Sequence, residues 1–207
     1  MAGPGRSSLL GSLLFRPPLA PQRLPLVGLA VGLAAAAACR RVAGVEILLK
    51  WPNDLLIGER KLGGLLAELV ASPGPGIAPA VVVGIGVNVV WPADWPSADD
   101  PEAVAVAAGA ATLAGDAGYS GGPGELATAL LPEVNAIYGQ LTADGGTRAL
   151  VARYRERCAT LGRDVAIDLP AGRIAGLAVD VDDDGRLVVA VDGARRSFAA
   201  GDVVHLR

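Results

Sequence analysis

The chain has 207 residues, 52% of them apolar and 4% aromatic, and a formal charge of −3. That length holds one well-buried domain and a small second one, with a core of many small contacts rather than large rings. The mild charge excludes both the basic stripe of a nucleic-acid binder and the acidic block of a disordered tail. Cys39 and Cys158 stand far apart, outside any CxxC pattern, and His205 is the one histidine. A zinc ligand set is not read from so few donors, and the thiols are expected to be free.

Residues 8–15, "SLLGSLLF", read as a buried strand that Pro17 and Pro18 end. A helix follows over about 22–41. Within it "PLVGLAVGLAAAAAC", 25–39, carries no charge and contains a Gly28/Gly32 pair. The run is shorter than the ~20 residues of a spanning helix. Pro25 suits a first helical turn and Arg40, Arg41 and Gly44 suit a last one, so a core helix is preferred to a targeting segment. "VEILLK", 45–50, reads as a strand, Pro52-Asn53-Asp54 as a turn, and "LLI", 55–57, as a further strand. After Gly58-Glu59, "KLGGLLAELV", 61–70, continues as a strand with a glycine pair inside it, and "PAVVVGIGVNVV", 79–90, is the strongest strand signal.

Residues 91–101 are a loop, and an Ala-rich helix spans about 101–114. Leu126, Leu130, Val134, Ile137 and Leu141 recur at helical spacing, with Pro132 leaving open one kinked helix or two short ones. Thr147 is placed as the cap of a last helix that buries Leu150, Val151, Tyr154 and Cys158 and turns Arg153, Arg155 and Arg157 outward to solvent. After Gly162, "DVAIDL", "RIAGLAVDV", "RLVVAV", "RRSFAA" and "DVVHL" alternate with "PAG", "DDDG" and "DG". That texture predicts a small antiparallel barrel. "VDVDDDGRL" lacks the spacing and final glutamate of a calcium loop and reads as a hairpin turn.

The chemistry concentrates in "KWPNDLLIGERKLGG", 50–64. Taken singly, Asn53-Asp54 is an Asx turn and Lys50 and Lys61 are surface cations. Gly63 and Gly64 shift the balance, because glycine inside a strand marks a close approach to the backbone. The device returns in "GIGVN", where Gly84 and Gly86 share one face and Asn88 is next on it. Two strands with bare backbone, edged by Lys61, Asn53 and Asn88, describe a flat slot for a slender ligand with an anionic group at the lysine.

"KWPNDLLIGERKLGGLLAEL" followed by "GIGVN" closely resembles biotin protein ligases (biotin–[acetyl-CoA-carboxylase] ligases), with their Lys-Trp-Pro-Asn-Asp, Arg-Lys-Leu-x-Gly-Ile-Leu and Gly-x-Gly-x-Asn motifs. "YRERCATLGRDVAI" and "GDVVHLR" resemble the family's C-terminal cap, so the likeness runs from about residue 4 to residue 207. The resemblance implies an α+β fold: a mixed β-sheet with packed helices over 1–160, incomplete at its start, and an SH3-like β-barrel over 161–207. It implies an enzyme that joins biotin and ATP, with Mg2+, as biotinyl-5′-adenylate. The biotinyl group then passes to a lysine of a biotin carboxyl carrier protein, in the cytoplasm, with no nucleic acid and no membrane involved.

By the same resemblance Lys61 is the catalytic residue, touching both biotin's carboxylate and the α-phosphate. Gly64, Leu65, Leu66, Gly84 and Gly86 line biotin, and Asn53, Asp54, Lys61 and Asn88 line the nucleotide. Asp54 either helps hold a metal or braces the turn. Lys50 is either a ligand contact or a strand-end lysine, and Trp91 and Trp95 either close over adenine or pack. The family's Gly-Arg-Gly-Arg-x-Gly-Arg loop has no counterpart here, where "MAGPGR" stands before the first strand. Either the start lies upstream or the chain is a shortened form with impaired biotin binding. The alternatives are another acyl ligase such as a lipoate ligase, an inactive carrier-binding module, and, more distantly, a membrane lipoprotein.

Overall fold

The computed structural model describes residues 7–71, 74, 79–92, 94–96, 99–170 and 172–206. The first sheet runs β1(Ser8–Phe15), β5(Ala80–Asn88), β4(Arg60–Val70), β3(Asp54–Ile57), β2(Leu48–Lys50), in that spatial order. Every neighbouring pair is antiparallel, which corrects the expected mixed sheet. β2 to β5 follow one another as hairpins, so no crossover exists to set two of them parallel. Among the described residues, parallel pairing is confined to single bridges, Leu49 to Cys158 and Lys61 to Ala110.

One face of this sheet is covered by α1(Leu26–Ala43), the charge-free segment, whose leucines, valines and alanines are almost all buried. Its two glycines explain the close fit. A Cβ on Gly28 would stand 3.4 Å from Ala67 Cβ, and one on Gly32 3.4 Å from Leu65 Cδ1. Behind α1 packs α4(Pro123–Thr142), a single helix running through Pro132, with Leu126, Leu130, Val134, Ile137 and Leu141 all buried. The opposite face of the sheet is open. Leu10 is 79% exposed and Leu66 63%, so "SLLGSLLF" is an edge strand partly covered on one side, which corrects the buried strand read from its apolar run.

Two helix boundaries differ from the sequence reading. The Ala-rich helix stops early, as α2(Pro101–Gly109). The chain then extends beside β4, and Thr112 accepts from the Gly115 N–H to cap α3(Leu113–Ala117). Thr147 caps nothing. α5(Gly146–Arg157) starts from Gly145 at φ 71°, and a Cβ on Gly146 would overlap the Gln140 carbonyl. Close packing of the α4–α5 corner therefore decides that boundary, not a hydroxyl cap. Arg155 and Arg157 are also more than a solvated face. Arg155 donates to the Val181 carbonyl at 2.8 Å, and Arg157 pairs with Glu46.

The C-terminal strands β6(Asp164–Leu169), β7(Gly172–Val181), β8(Leu187–Val191), β9(Ala194–Phe198) and β10(Asp202–His205) form one antiparallel sheet in the order β10-β6-β7-β8-β9. The expected closed barrel is not seen: the edge strands β9 and β10 each pair on one side, with β8 and β6. Residues 182–186 are a hairpin turn in which Asp182 Oδ1 accepts from the N–H groups of Asp184 and Arg186.

The two sheets meet at Trp51. Its ring is 1% exposed and its Nε1–H donates to the Gly185 carbonyl at 3.0 Å. His205 sits at the same junction. Burial, then the cations of Lys50 and Arg163, hold its imidazole below the ordinary range against a smaller opposing pull from Glu59. The unfolded chain therefore takes up a proton that the folded chain refuses. Stability should fall as pH drops below about 6.5 and level off once the folded imidazole also titrates. Urea midpoints measured from pH 7.5 to 4.5 check this, and the His205→Gln chain should lose that part of the slope.

Candidate functional site

The site is built on the open face of the first sheet. Register places Gly64 opposite Gly86, Leu66 opposite Gly84, Leu10 opposite Gly86 and Ser12 opposite Gly84. Cross-strand partners share a face. Gly64, Gly84 and Gly86 therefore make a side-chain-free floor, with Leu10, Ser12 and Leu66 standing around it. These residues, with Asn53, Asp54 and Lys61, line one cavity of about 530 Å³.

Lys61 reaches this face through a β-bulge. In a regular strand Lys61 and Gly64, three apart, point to opposite faces. The β3–β4 register runs Asp54–Gly64 and Leu55–Gly63, then jumps to Leu56–Lys61. Leu62 is the extra residue, and it is fully buried. The bulge turns Lys61 over, so its ammonium lies 2.5 Å from Asp54 Oδ1 while half its side chain stays exposed. A Cβ on Gly64 would stand 3.3 Å from that carboxylate and 3.5 Å from Lys61 Cε. The glycine thus leaves the lysine room to cross the strand.

The two neighbouring glycines have different reasons to be there. Gly64 opens the slot. Gly63 faces the core, where a Cβ would overlap the Gly86 carbonyl. Leu65 reaches the slot with its backbone, while its side chain is buried against Gly32 of α1.

Asn53 is latched to β4 twice. Its backbone carbonyl accepts from Leu65 N–H at 2.8 Å, and its Nδ2 donates to the Leu65 carbonyl at 2.9 Å. The Asp54 carboxylate faces the Lys61 ammonium. Asn88 lies one step past Gly86 on the same face, beyond the residues that line the cavity, and its Nδ2 donates to the Ala111 carbonyl at 3.2 Å. Lys50 pairs with Asp54 across β2 and β3, at a strand end. Trp91 and Trp95 pack on each other, ring centroids 4.2 Å apart.

Sequence reasoning missed Leu10, Gly11 and Ser12, which form one wall of the slot. The signal was the small pair Gly11-Ser12 inside an apolar run, at the length where β1 can lie beside "GIGVN". Arg60 was also missed. It donates to the Ala110 carbonyl at 3.4 Å and pairs with Asp116, tying β4 to the segment that holds Asn88. Burial pushes the Cys39 thiol up to about 12, and Cys158 is likewise buried and raised, so neither offers a thiolate to the slot.

The biotin/lipoate A/B protein ligase family model matches residues 2–88, and the biotin protein ligase C-terminal domain model matches 160–206. A biotin–[acetyl-CoA-carboxylase] ligase of Paracoccus denitrificans is 33% identical over 200 residues, covering 93% of this chain and 78% of that protein. The chain belongs to the biotin protein ligase family. The biotin–[acetyl-CoA-carboxylase] ligase of Mycobacterium tuberculosis is 37% identical over 186 residues, 87% of this chain. The chain spans 62% of the length of that ligase and 59% of the Escherichia coli ligase/repressor BirA. The biotin protein ligase of Aquifex aeolicus, solved in complex with biotin and ATP, superposes with a TM-score of 0.77 at 23% identity. It covers 97% of this chain and 79% of its own. At that identity the likeness speaks for the fold.

Proposed function

We propose that this chain is the catalytic and cap portion of a biotin–[biotin carboxyl-carrier protein] ligase, with residues 1–160 and 161–207 as its two units and the C-terminal sheet as its SH3-like cap. The bulge carries the reading: it puts one ammonium, Lys61, at the end of a floor made of Gly64, Gly84 and Gly86. Biotin's rings and valeryl chain lie along that floor against Leu10 and Leu66, and its carboxylate ends at Lys61. ATP enters from the side of Asn53, Asp54 and Asn88.

In the first step a biotin carboxylate oxygen bonds to the α-phosphorus of ATP as the bond to pyrophosphate breaks. Two anions have to meet, so fixed positive charge is the main requirement. Lys61 supplies it, pre-aimed by Asp54 until the ligands compete for the ammonium. Magnesium travels with the triphosphate and shields its charge. The slot offers that ion one carboxylate, Asp54, already engaged by Lys61, and the described residues hold no cluster of three or more metal-ligating acids, histidines or cysteines. They do not form a cage for the ion, and no step is routed through it. In the second step the carrier's lysine amine attacks the acyl carbon. AMP leaves, the nitrogen loses a proton, and an amide forms without a protein nucleophile.

The slot is open above the floor, with Leu10 and Leu66 largely exposed. The 207-residue chain should therefore capture biotin weakly, and adenylate formation should saturate only at high biotin. The test is exchange of labelled pyrophosphate into ATP, with biotin and lipoate side by side, followed by transfer to a biotin carboxyl carrier protein. Biotin-dependent exchange is the expected result. Exchange with lipoate alone would make the chain a lipoate ligase, and carrier capture with no exchange would make it a binding module. This reading places the protein in the cytoplasm with its carboxylase substrate.

A further inference from the structure

Two polar side chains are fully buried among the described residues, Thr112 and Thr160. Thr112 is accounted for by its helix cap. Thr160 caps no helix. It stands in the linker between α5 and β6, 0% exposed, and its Oγ1 accepts the Trp51 backbone N–H at 3.0 Å. His205 Nε2 lies 3.2 Å from the same oxygen. A threonine hydroxyl has one proton and two lone pairs, so Trp51 and His205 share one small polar atom.

What hangs on that atom is the turn that carries Asn53 and Asp54. On the slot side the turn is latched by Asn53 to Leu65. At its rear it is held from the C-terminal half of the chain. Ala159 N–H donates to the Leu49 carbonyl at 2.9 Å, the Trp51 indole donates to Gly185, and Thr160 takes the Trp51 amide. The first two anchor the ends of the approach; the third fixes the peptide from which the turn departs. Beneath it Tyr154 is 2% exposed, and burial above all raises its phenol well above the usual range.

We propose that Thr160, oriented by His205, is a positioning residue: it holds the Trp51 peptide, and so sets where Asp54 presents the Lys61 ammonium to the slot. The inference rests on the reading of that slot as the adenylation site. A valine there would fill the same space but leave the buried Trp51 N–H unpaired, and the turn would have to shift to find a partner. In the neutral ring protonated at Nδ1, Nε2 accepts the Thr160 proton; protonation makes both ring nitrogens donors, so Nε2 then donates and the Thr160 oxygen takes two N–H groups. His205 is faced by Lys50 from β2, Glu59 from the β3–β4 turn, and Arg163 and Thr160 from the linker. Glu59 is bound twice by Arg163, so its charge is already engaged.

The test is a pH titration of the 15N-labelled chain followed by NMR. The ring of the single histidine reports its own midpoint. The amides of Trp51, Asn53 and Asp54 should shift with that midpoint. Thr160→Ser should keep the coupling. Thr160→Val should leave the ring titrating and release the turn amides from it, and His205→Gln should flatten them. At saturating biotin and ATP, Thr160→Val should lower the exchange rate about 10-fold with little change in KM, and Thr160→Ser should restore it. Turn amides that stay still through the ring's midpoint, or that titrate unchanged in His205→Gln, overturn the proposal even if Thr160→Val fails to fold. The spectra need no catalysis, so a chain with no exchange activity counts against the ligase reading and leaves this one to be judged on its amides.

Discussion

Lys61→Ala should lower biotin-dependent exchange of pyrophosphate into ATP by ~100-fold or more at saturating substrates, the loss expected for one preorganised charge at a developing anion. The fold should barely notice. Lys61 is half-exposed and its partnership with Asp54 is a single ion pair, worth about 0–1 kcal/mol at such a site. Thermal midpoints of variant and parent should agree within a few degrees. Lys61→Arg should rescue only part of the rate, because a planar fork on a different stem does not reproduce a point charge. Transfer from supplied biotinyl-adenylate to a carrier should suffer much less, since the attacking amine belongs to the carrier. A variant that exchanges pyrophosphate at the parental rate would remove Lys61 from the chemistry and leave the bulge a packing feature.

The sequence shows the slot because its pieces are local. "GIGVN" declares two bare positions on one face, and "KWPND" with "RKLGG" declares the turn and the cation. It does not show how Lys61 joins them. "KLGG" reads as straight strand, which would set Lys61 on the face of Gly63, away from Gly64. The bulge at Leu62 comes from tertiary packing, where Leu62 and Gly63 are both drawn into the core. The same limit explains the other misses. Thr147 has the right chemistry for a cap, but the Gln140 carbonyl needs a glycine against it. The C-terminal strands are each legible, yet nothing local says whether β9 meets β10. Asn53 and Asn88 are readable as polar edges, whereas the hydrogen bonds each makes, to Leu65 and Ala111, depend on other segments 12 and 23 residues further on. Thr160 was invisible, because its partner lies 109 residues away.

Gly63 and Gly86 separate a floor position from a packing position, and they should respond oppositely to an added side chain. A Cβ on Gly86 would stand 3.4 Å from Leu10 Cδ2, the tip of an exposed side chain that can move aside. Valine there suits a strand, so Gly86→Val should fold with an unchanged or higher thermal midpoint while its branches fill the slot. Crowding of about 1–3 kcal/mol translates into roughly 5- to 150-fold weaker binding of a non-hydrolysable biotinyl-adenylate analogue, measurable by calorimetry. Gly63→Ala adds one methyl group where the Gly86 carbonyl already sits. Backbone cannot step aside as a leucine tip can, so β4 and β5 must part. The cost should be about 1–3 kcal/mol or more of stability, seen as a midpoint lower by about 2–4 °C for each kcal/mol. The contrast is what tests the site. If Gly86→Val bound the analogue as tightly as the parent, the glycine floor would be a packing feature like Gly63, and the ligand would have to lie elsewhere on the molecule.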